Sequence, residues 1–181
     1  GDVYKRQDMD LLITGNTADY RSSVSRFFKN EPSGRLIEDT NQDIIGLKAS
    51  SLKFMDLDND GDQDLIASGW NVIDNNLVTK VYQNEPLGTY VELPVDGLHA
   101  VAYGDIDAVD IDHDGDLDIR ISGVDSVSNF ATRVHSLSGK VYKNEGSFNF
   151  TELLDIPGAR ILRFADLNGD LKPDIICLLY T

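Results

Sequence analysis

Asp56-Leu57-Asp58-Asn59-Asp60-Gly61-Asp62-Gln63-Asp64 runs without interruption into the apolar segment Leu65-Ile66-Ala67. The same nine-residue pattern returns as Asp110-Ile111-Asp112-His113-Asp114-Gly115-Asp116-Leu117-Asp118. It returns more loosely as Asp166-Leu167-Asn168-Gly169-Asp170-Leu171-Lys172-Pro173-Asp174. Carboxylates packed this densely repel one another, and a hard dication with oxygen ligands is the usual remedy. The alternative for any single loop is a solvated acidic turn held by Asx-type hydrogen bonds. Repetition in register favours the ion.

The spacing has a mechanical reason. A chain coiled around an ion offers side-chain oxygens from positions 1, 3 and 5 and a backbone carbonyl from position 7. Glycine at position 6, here Gly61 and Gly115, permits the sharp turn. The twelfth positions are Ala67 and Ile121, so the bidentate glutamate that closes an EF-hand is missing. The ninth residue, Asp64 or Asp118, is expected to close the site instead. Calcium is the expected ion, because magnesium tends to keep its waters and use few protein ligands. The third loop departs from the pattern: Asn168 stands at position 3 and Gly169 at position 4, and Leu171 at position 6 is expected to resist a positive φ. Ahead of the first full loop only Asp8 and Asp10 remain, with Tyr4 and Arg6 where further aspartates would be needed, and no site is expected there.

The ninth-position aspartate falls at Asp10, Asp64, Asp118 and Asp174, at intervals of 54, 54 and 56 residues. A second marker keeps the same register: Phe28-Lys29-Asn30-Glu31-Pro32, Tyr82-Gln83-Asn84-Glu85-Pro86 and Tyr142-Lys143-Asn144-Glu145-Gly146. The aspartate-to-asparagine spacing is 20, 20 and then 26, so the third unit carries about six extra residues near Ser126–Ser138.

Each unit reads as four short strands with no amphipathic helix. An apolar run ending in glycine follows the loop, as in Leu65–Gly69 and Ile119–Gly123. A second strand leads into the Asn-Glu turn (Val24–Phe28, Thr79–Gln83, Lys140–Lys143), and a third follows that turn (Arg35–Glu38, Thr89–Leu93, Asn149–Leu153). A fourth enters the next loop (Ser51–Met55, Ile106–Val109, Arg160–Ala165). Four strands in about 54 residues is the arithmetic of a β-propeller blade. The fold expected is all-β: a propeller fragment of about three four-stranded blades, with an open β-solenoid or sandwich as the alternative. The units are a partial blade at 8–55, blades at 56–109 and 110–165, and the start of another at 166–176. Propellers close with roughly four to eight blades, so a longer native molecule is expected, with neighbouring blades of the same chain as partners.

Residues 1–7 and 177–181 are expected to be foreign. Asp2–Gln7 and Cys177–Thr181 can be encoded by strings of which the second is the reverse complement of a stretch within the first, and both resemble the mosaic end of a transposase-based sequencing adapter. That reading removes the single cysteine from consideration, leaving no disulfide, zinc or thiol chemistry. The remaining composition is globular, 41% hydrophobic and 26% charged, with no apolar run long enough to span a membrane. A formal net charge of -15 argues against nucleic acid as a partner. Of the 31 acidic residues, five, five and three lie in the three loops, so the acidity is local.

The Asp-x-Asp-x-Asp-Gly-Asp-x-Asp-Leu loops, the glycine after the strand and the Tyr-x-Asn-Glu turn resemble FG-GAP/VCBS repeats, a family that includes the blades of integrin α-chain propellers and of bacterial surface and secreted proteins. The resemblance covers residues 8–176. It implies a seven- or eight-bladed propeller with calcium held by Asp56, Asp58, Asp60, the Asp62 carbonyl and Asp64. A second site would use Asp110, Asp112, Asp114, the Asp116 carbonyl and Asp118, and a third Asp166, Asn168, Asp170, the Lys172 carbonyl and Asp174. Extracellular, cell-surface or periplasmic placement is also implied, which agrees with weak calcium sites filling only near millimolar calcium.

Other chemistry is sparse. His99, His113 and His135 share no spacing and read as surface residues. Asp105 and Asp107 read as an exposed acidic strand edge, and Trp70 and Tyr103 as aromatics buried between blades rather than sugar-stacking platforms. No catalytic triad, phosphate loop or basic stripe is present. The function expected is a non-catalytic adhesion or ligand-binding scaffold whose partner is a protein or a carbohydrate. The alternatives are a carbohydrate-active propeller enzyme (polysaccharide lyase or hydrolase) and a lectin-like module.

Overall fold

The apolar run that leaves each of the first two acidic loops forms an inner, buried strand of a four-stranded sheet. The computed structural model describes residues 9–86, 88–129 and 134–179. The expected foreign segment 1–7, Asp8 and the last two residues of 177–181 lie outside the described residues. Strands β1 (Leu11–Asn16), β2 (Ser23–Asn30) and β3 (Leu36–Asp39) form one sheet. A second contains β4 (Lys48–Met55), β5 (Asp64–Asn71), β6 (Asn76–Glu85) and β7 (Thr89–Leu93). A third contains β8 (Ala102–Val109), β9 (Asp118–Asn129), β10 (Val134–Asn144) and β11 (Phe150–Pro157), and β12 (Ala159–Ala165) pairs with β13 (Asp174–Leu179) in a fourth. Every sheet is an antiparallel meander in chain order, and no described residue is helical. The protein is all-β, as the strand pattern predicts.

The sequence unit and the hydrogen-bonded sheet are offset by one strand. The strand entering an acidic loop pairs with the strand leaving it, Met55 opposite Asp64 and Val109 opposite Asp118, so the loop is the turn of a hairpin. Sheets therefore span 48–93 and 102–157. The extra residues of the third unit lengthen the β9–β10 hairpin, apart from 130–133, which lie outside the described residues.

Alternation along each central strand divides its side chains between two interfaces. Leu65 and Ala67 face a cluster with Phe27, Ile44, Leu47, Tyr82 and Tyr90, between the first and second sheets. Ile66 faces the other way, with Met55, Leu57, Val81, Ile106, Ile119, Ile121 and Tyr142, between the second and third. Val141, Ala159 and Leu162 join the third and fourth. The first strands of successive sheets also lie together, β4 against β8 and β8 against β12. Apolar residues on β1 and β13 stay in water: Leu11 and Ile13 at one end, Ile175, Ile176, Leu178 and Leu179 at the other.

A side-chain hydroxyl latches each interface. Four residues after the ninth-position aspartate stand Thr14, Ser68 and Ser122. Thr14 Oγ1 donates to the Leu47 carbonyl and accepts its N–H (3.2 and 2.9 Å). Ser68 does the same with Val101 (2.9 and 3.0 Å), and Ser122 donates to the Arg160 carbonyl (3.2 Å). Each latch grips the backbone just before, or at the start of, the next sheet's first strand. Glycine follows Ser68 and Ser122 because the facing strand bulges inward: a Cβ on Gly123 would stand 2.7 Å from Gly104 Cα, and one on Gly69 3.0 Å from Ser50. At the bulges Ala49 and Tyr103 take positive φ (50° and 51°), which side-chain-bearing residues rarely adopt.

Replacing Ser68 by alanine strands a buried N–H and a buried carbonyl of Val101. Urea denaturation of Ser68→Ala should show a loss of about 1–3 kcal/mol; a loss below about 0.5 kcal/mol would mean that the latch contributes nothing.

Candidate metal centres

One backbone cage is repeated in all three acidic loops. The position 1 carboxylate accepts the N–H of position 6: Gly61 to Asp56 Oδ2 (3.1 Å), Gly115 to Asp110 Oδ2 (3.0 Å) and Leu171 to Asp166 Oδ2 (2.9 Å). The position 5 carboxylate accepts the N–H of position 7, in Asp60 from Asp62, Asp114 from Asp116 and Asp170 from Lys172 (2.9, 3.0 and 2.8 Å). The position 9 carboxylate accepts the N–H of position 2, in Asp64 from Leu57, Asp118 from Ile111 and Asp174 from Leu167 (2.9, 2.8 and 2.9 Å). Positions 4 and 6 have positive φ throughout: Asn59 and Gly61, His113 and Gly115, Gly169 and Leu171. Leu171 therefore adopts the turn that its side chain was expected to resist, with φ 68°. The cost of about 1–2 kcal/mol is borne by the hydrogen bonds that over-determine the loop.

The ninth residue is the hub. Asp64 is 1% exposed and also accepts the Asn84 N–H at 2.9 Å on its second oxygen; Asp118, fully buried, accepts the Asn144 N–H at 2.8 Å. The marker asparagine thus ends the second strand by delivering its amide to the loop. Its side chain can reach further: Asn144 Nδ2 donates to the Leu57 carbonyl (2.8 Å), tying the third sheet to the preceding loop.

Ligand oxygens of Asp56, Asp58 and Asp64 lie within 4.8 Å of one another, and so do those of Asp110, Asp112 and Asp118. Among the described residues, Asp166, Asp170 and Asp174 do not form such a group. Asp56 Oδ1 is buried without a hydrogen-bond partner, an acceptor held ready at the loop. The donor set, hard oxygen with concentrated negative charge, fits calcium. Asp62 and Asp116 occupy position 7, and the Asp116 carboxylate turns away to accept the Asn59 amide (2.5 Å).

Burial pushes the Asp64 carboxyl up to about 6, with the charges of Asp58 and Asp60 adding to the rise and the Asn84 and Leu57 N–H groups opposing it. Burial raises Asp118 likewise. Asp166 lies below the usual carboxylate range, held there first by the N–H groups of Gly169 and Leu171.

Successive loops touch. Asn59 Nδ2 also donates to the Gly115 carbonyl (3.2 Å), and His113 Nε2 lies 3.1 Å from the Leu171 carbonyl. In both, a position 4 side chain leaves its own loop for the position 6 carbonyl of the next. The side chain that meets the position 3 carboxylate differs between loops. Gln83 Nε2 donates to Asp58 Oδ2 (2.7 Å), whereas at the matching position Lys143 Nζ lies 2.5 Å from Asp112 Oδ2 and 3.1 Å from Asp114 Oδ2. Those two carboxylates raise the Lys143 ammonium above its ordinary range.

Sequence reasoning missed a charged array on the first strands. Arg120, fully buried, stands in β9 where β5 has Ile66. Its guanidinium reaches Asp105 (2.7 Å) and Asp107 (3.2 Å); Lys53 pairs with Asp107 at 3.3 Å, and Arg163 pairs with Asp105. The expected acidic strand edge at Asp105 and Asp107 is thus an ion-pair network. Burial opposes ionisation of Asp107, but Arg120, the Ala108 N–H and Lys53 hold it below the usual range. The residue pattern carried one signal, a charge inside an otherwise apolar Ile119–Ile121 run. Tyr103 is 60% exposed rather than buried, Trp70 is half-buried, and His99 is half-buried with its imidazole lowered by burial. The His135 side chain lies outside the described residues.

The stacked meanders and their acidic hairpin turns define a repeat protein. Residues 56–120, from the first residue of one loop to just past the closing aspartate of the next, match the family model described as FG-GAP-like repeat. No curated protein and no solved structure gives a significant match.

Because Asp64 holds its proton more tightly folded than unfolded, its stabilising contribution is complete below about pH 4 and is lost as pH rises through about 6. In chelator, the melting temperature of the protein minus that of Asp64→Asn should fall between pH 4 and 7, and excess calcium should abolish the fall. A difference independent of pH in chelator would contradict the burial-driven shift.

Proposed function

We propose that the chain is a calcium-stabilised segment of a β-propeller serving as a non-catalytic adhesion or ligand-binding scaffold of a secreted or surface protein. The observation that carries the metal reading is the recurrence of one triad, Asp56, Asp58 and Asp64, as Asp110, Asp112 and Asp118, each with a buried closing carboxylate that also pins the backbone. The repulsion within each triad is relieved by a dication, and the metal then holds the hairpin that starts each sheet.

The propeller reading is supported by four-stranded meanders stacked in chain order with their first strands side by side. Neighbouring blades would cover Leu11 and Ile13 on β1 and Ile175 and Ile176 on β13. The scaffold reading rests on the FG-GAP-like repeat and on the array around Arg120, where both carboxylates are already paired with cations. Extracellular, surface or periplasmic placement accords with loops that fill at near-millimolar calcium. A protein or glycan would be the ligand, and glycan-array binding would separate the two.

Calcium at millimolar concentration should raise the melting temperature by several degrees over the same protein in chelator. Asp56→Ala and Asp110→Ala should each remove one binding event in a calorimetric titration. Identical melting in calcium and chelator would overturn the metal reading.

A further inference from the structure

The two strong loops differ in one residue that faces their carboxylates. Gln83 and Lys143 both precede the asparagine that bonds the ninth-position aspartate, so they occupy equivalent places at the ends of β6 and β10. Gln83 offers Asp58 a neutral amide hydrogen bond. Lys143 offers Asp112 and Asp114, positions 3 and 5 of its loop, a full positive charge at 2.5 and 3.1 Å. Its side chain is 23% exposed, and Glu145 Oε2 lies 3.8 Å from the ammonium as an alternative partner.

We propose that Lys143 is a tethered counter-cation that competes with the metal at the second loop, making Asp110–Asp118 a lower-affinity calcium site than Asp56–Asp64. The inference rests on the calcium reading of both loops. An ammonium bridging two ligand carboxylates neutralises part of the charge that attracts the dication and repels the dication as it enters. Being on the same chain, it competes at an effective concentration that dilution does not lower. When calcium binds, Lys143 gives up Asp112 and Asp114 and turns to Glu145. Among the described residues the first loop has no such competitor: a glutamine amide can withdraw from Asp58 without uncovering a charge. The two sites would then fill in order, the first at lower calcium and the second nearer saturation.

The test uses the full chain with terbium luminescence and calcium calorimetry. The wild type should show two unequal sites. Lys143→Gln should tighten the weaker site about tenfold, and Gln83→Lys should weaken the tighter one by a similar factor. A second readout separates competition from an ordinary salt bridge. Lys143→Gln should melt lower than wild type in chelator, where the counter-charge is lost, and at the same temperature or higher in saturating calcium. Lower melting in both conditions, or equal site affinities unaffected by either exchange, would overturn the role of Lys143 while leaving calcium binding intact. A wild type that takes up neither terbium nor calcium would overturn both readings.

Discussion

A buried carboxylate that accepts two backbone amides holds each of the two complete loops in place. Asp64 receives the Leu57 N–H from the start of its loop and the Asn84 N–H from the end of β6, and Asp118 repeats the arrangement with Ile111 and Asn144. One side chain thereby fixes the hairpin turn, the start of the central strand and the end of its neighbour. The cost is a desolvated charge beside other charges, which is why the same residue sits well above its usual ionisation range. A dication in the proposed site would offset that cost, so the structural role of the ninth aspartate and its proposed ligand role would reinforce each other.

The sheets are tied to one another by a different chemistry. Apolar side chains alternate off the central strands into two interfaces, and the Thr14, Ser68 and Ser122 hydroxyls latch the incoming backbone of the next sheet. Both devices are local to one interface, as expected where each repeat contacts only its neighbours. The asparagine marker adds a third tie through the Leu57 carbonyl.

Much of this was legible in the sequence because the physics is periodic. Aspartates at alternate positions with glycine at the sixth announced the coiled loop, and the recurrence of Asp64 as Asp118 announced the repeat. The strands followed from apolar runs such as Leu65-Ile66-Ala67. Three features were harder to read. The pairing of β4 with β5 rather than with the strands before it depends on the hairpin turn. The left-handed Leu171 depends on hydrogen bonds from Asp166 that outweigh a local preference. The contact of Lys143 with Asp112 joins residues 31 apart in sequence; aligning the residue before each asparagine (Lys29, Gln83, Lys143) exposes the difference but not its target.

The charged array on the first strands bears on how similar units find their proper order during folding. The residue two before the last of β4, β8 and β12 is Lys53, Asp107 and Arg163 in turn, an alternation of sign across three adjacent strands. Lys53 meets Asp107 and Arg163 meets Asp105, while Arg120 fills the place of Ile66. A misassembled chain that set β4 directly beside β12 would bring two cations together, with Ser51 in place of Asp105 and no carboxylate between them. Units built on one template risk docking with the wrong neighbour. In that order like charges would stand side by side, so the alternation of sign favours the sequence of sheets observed.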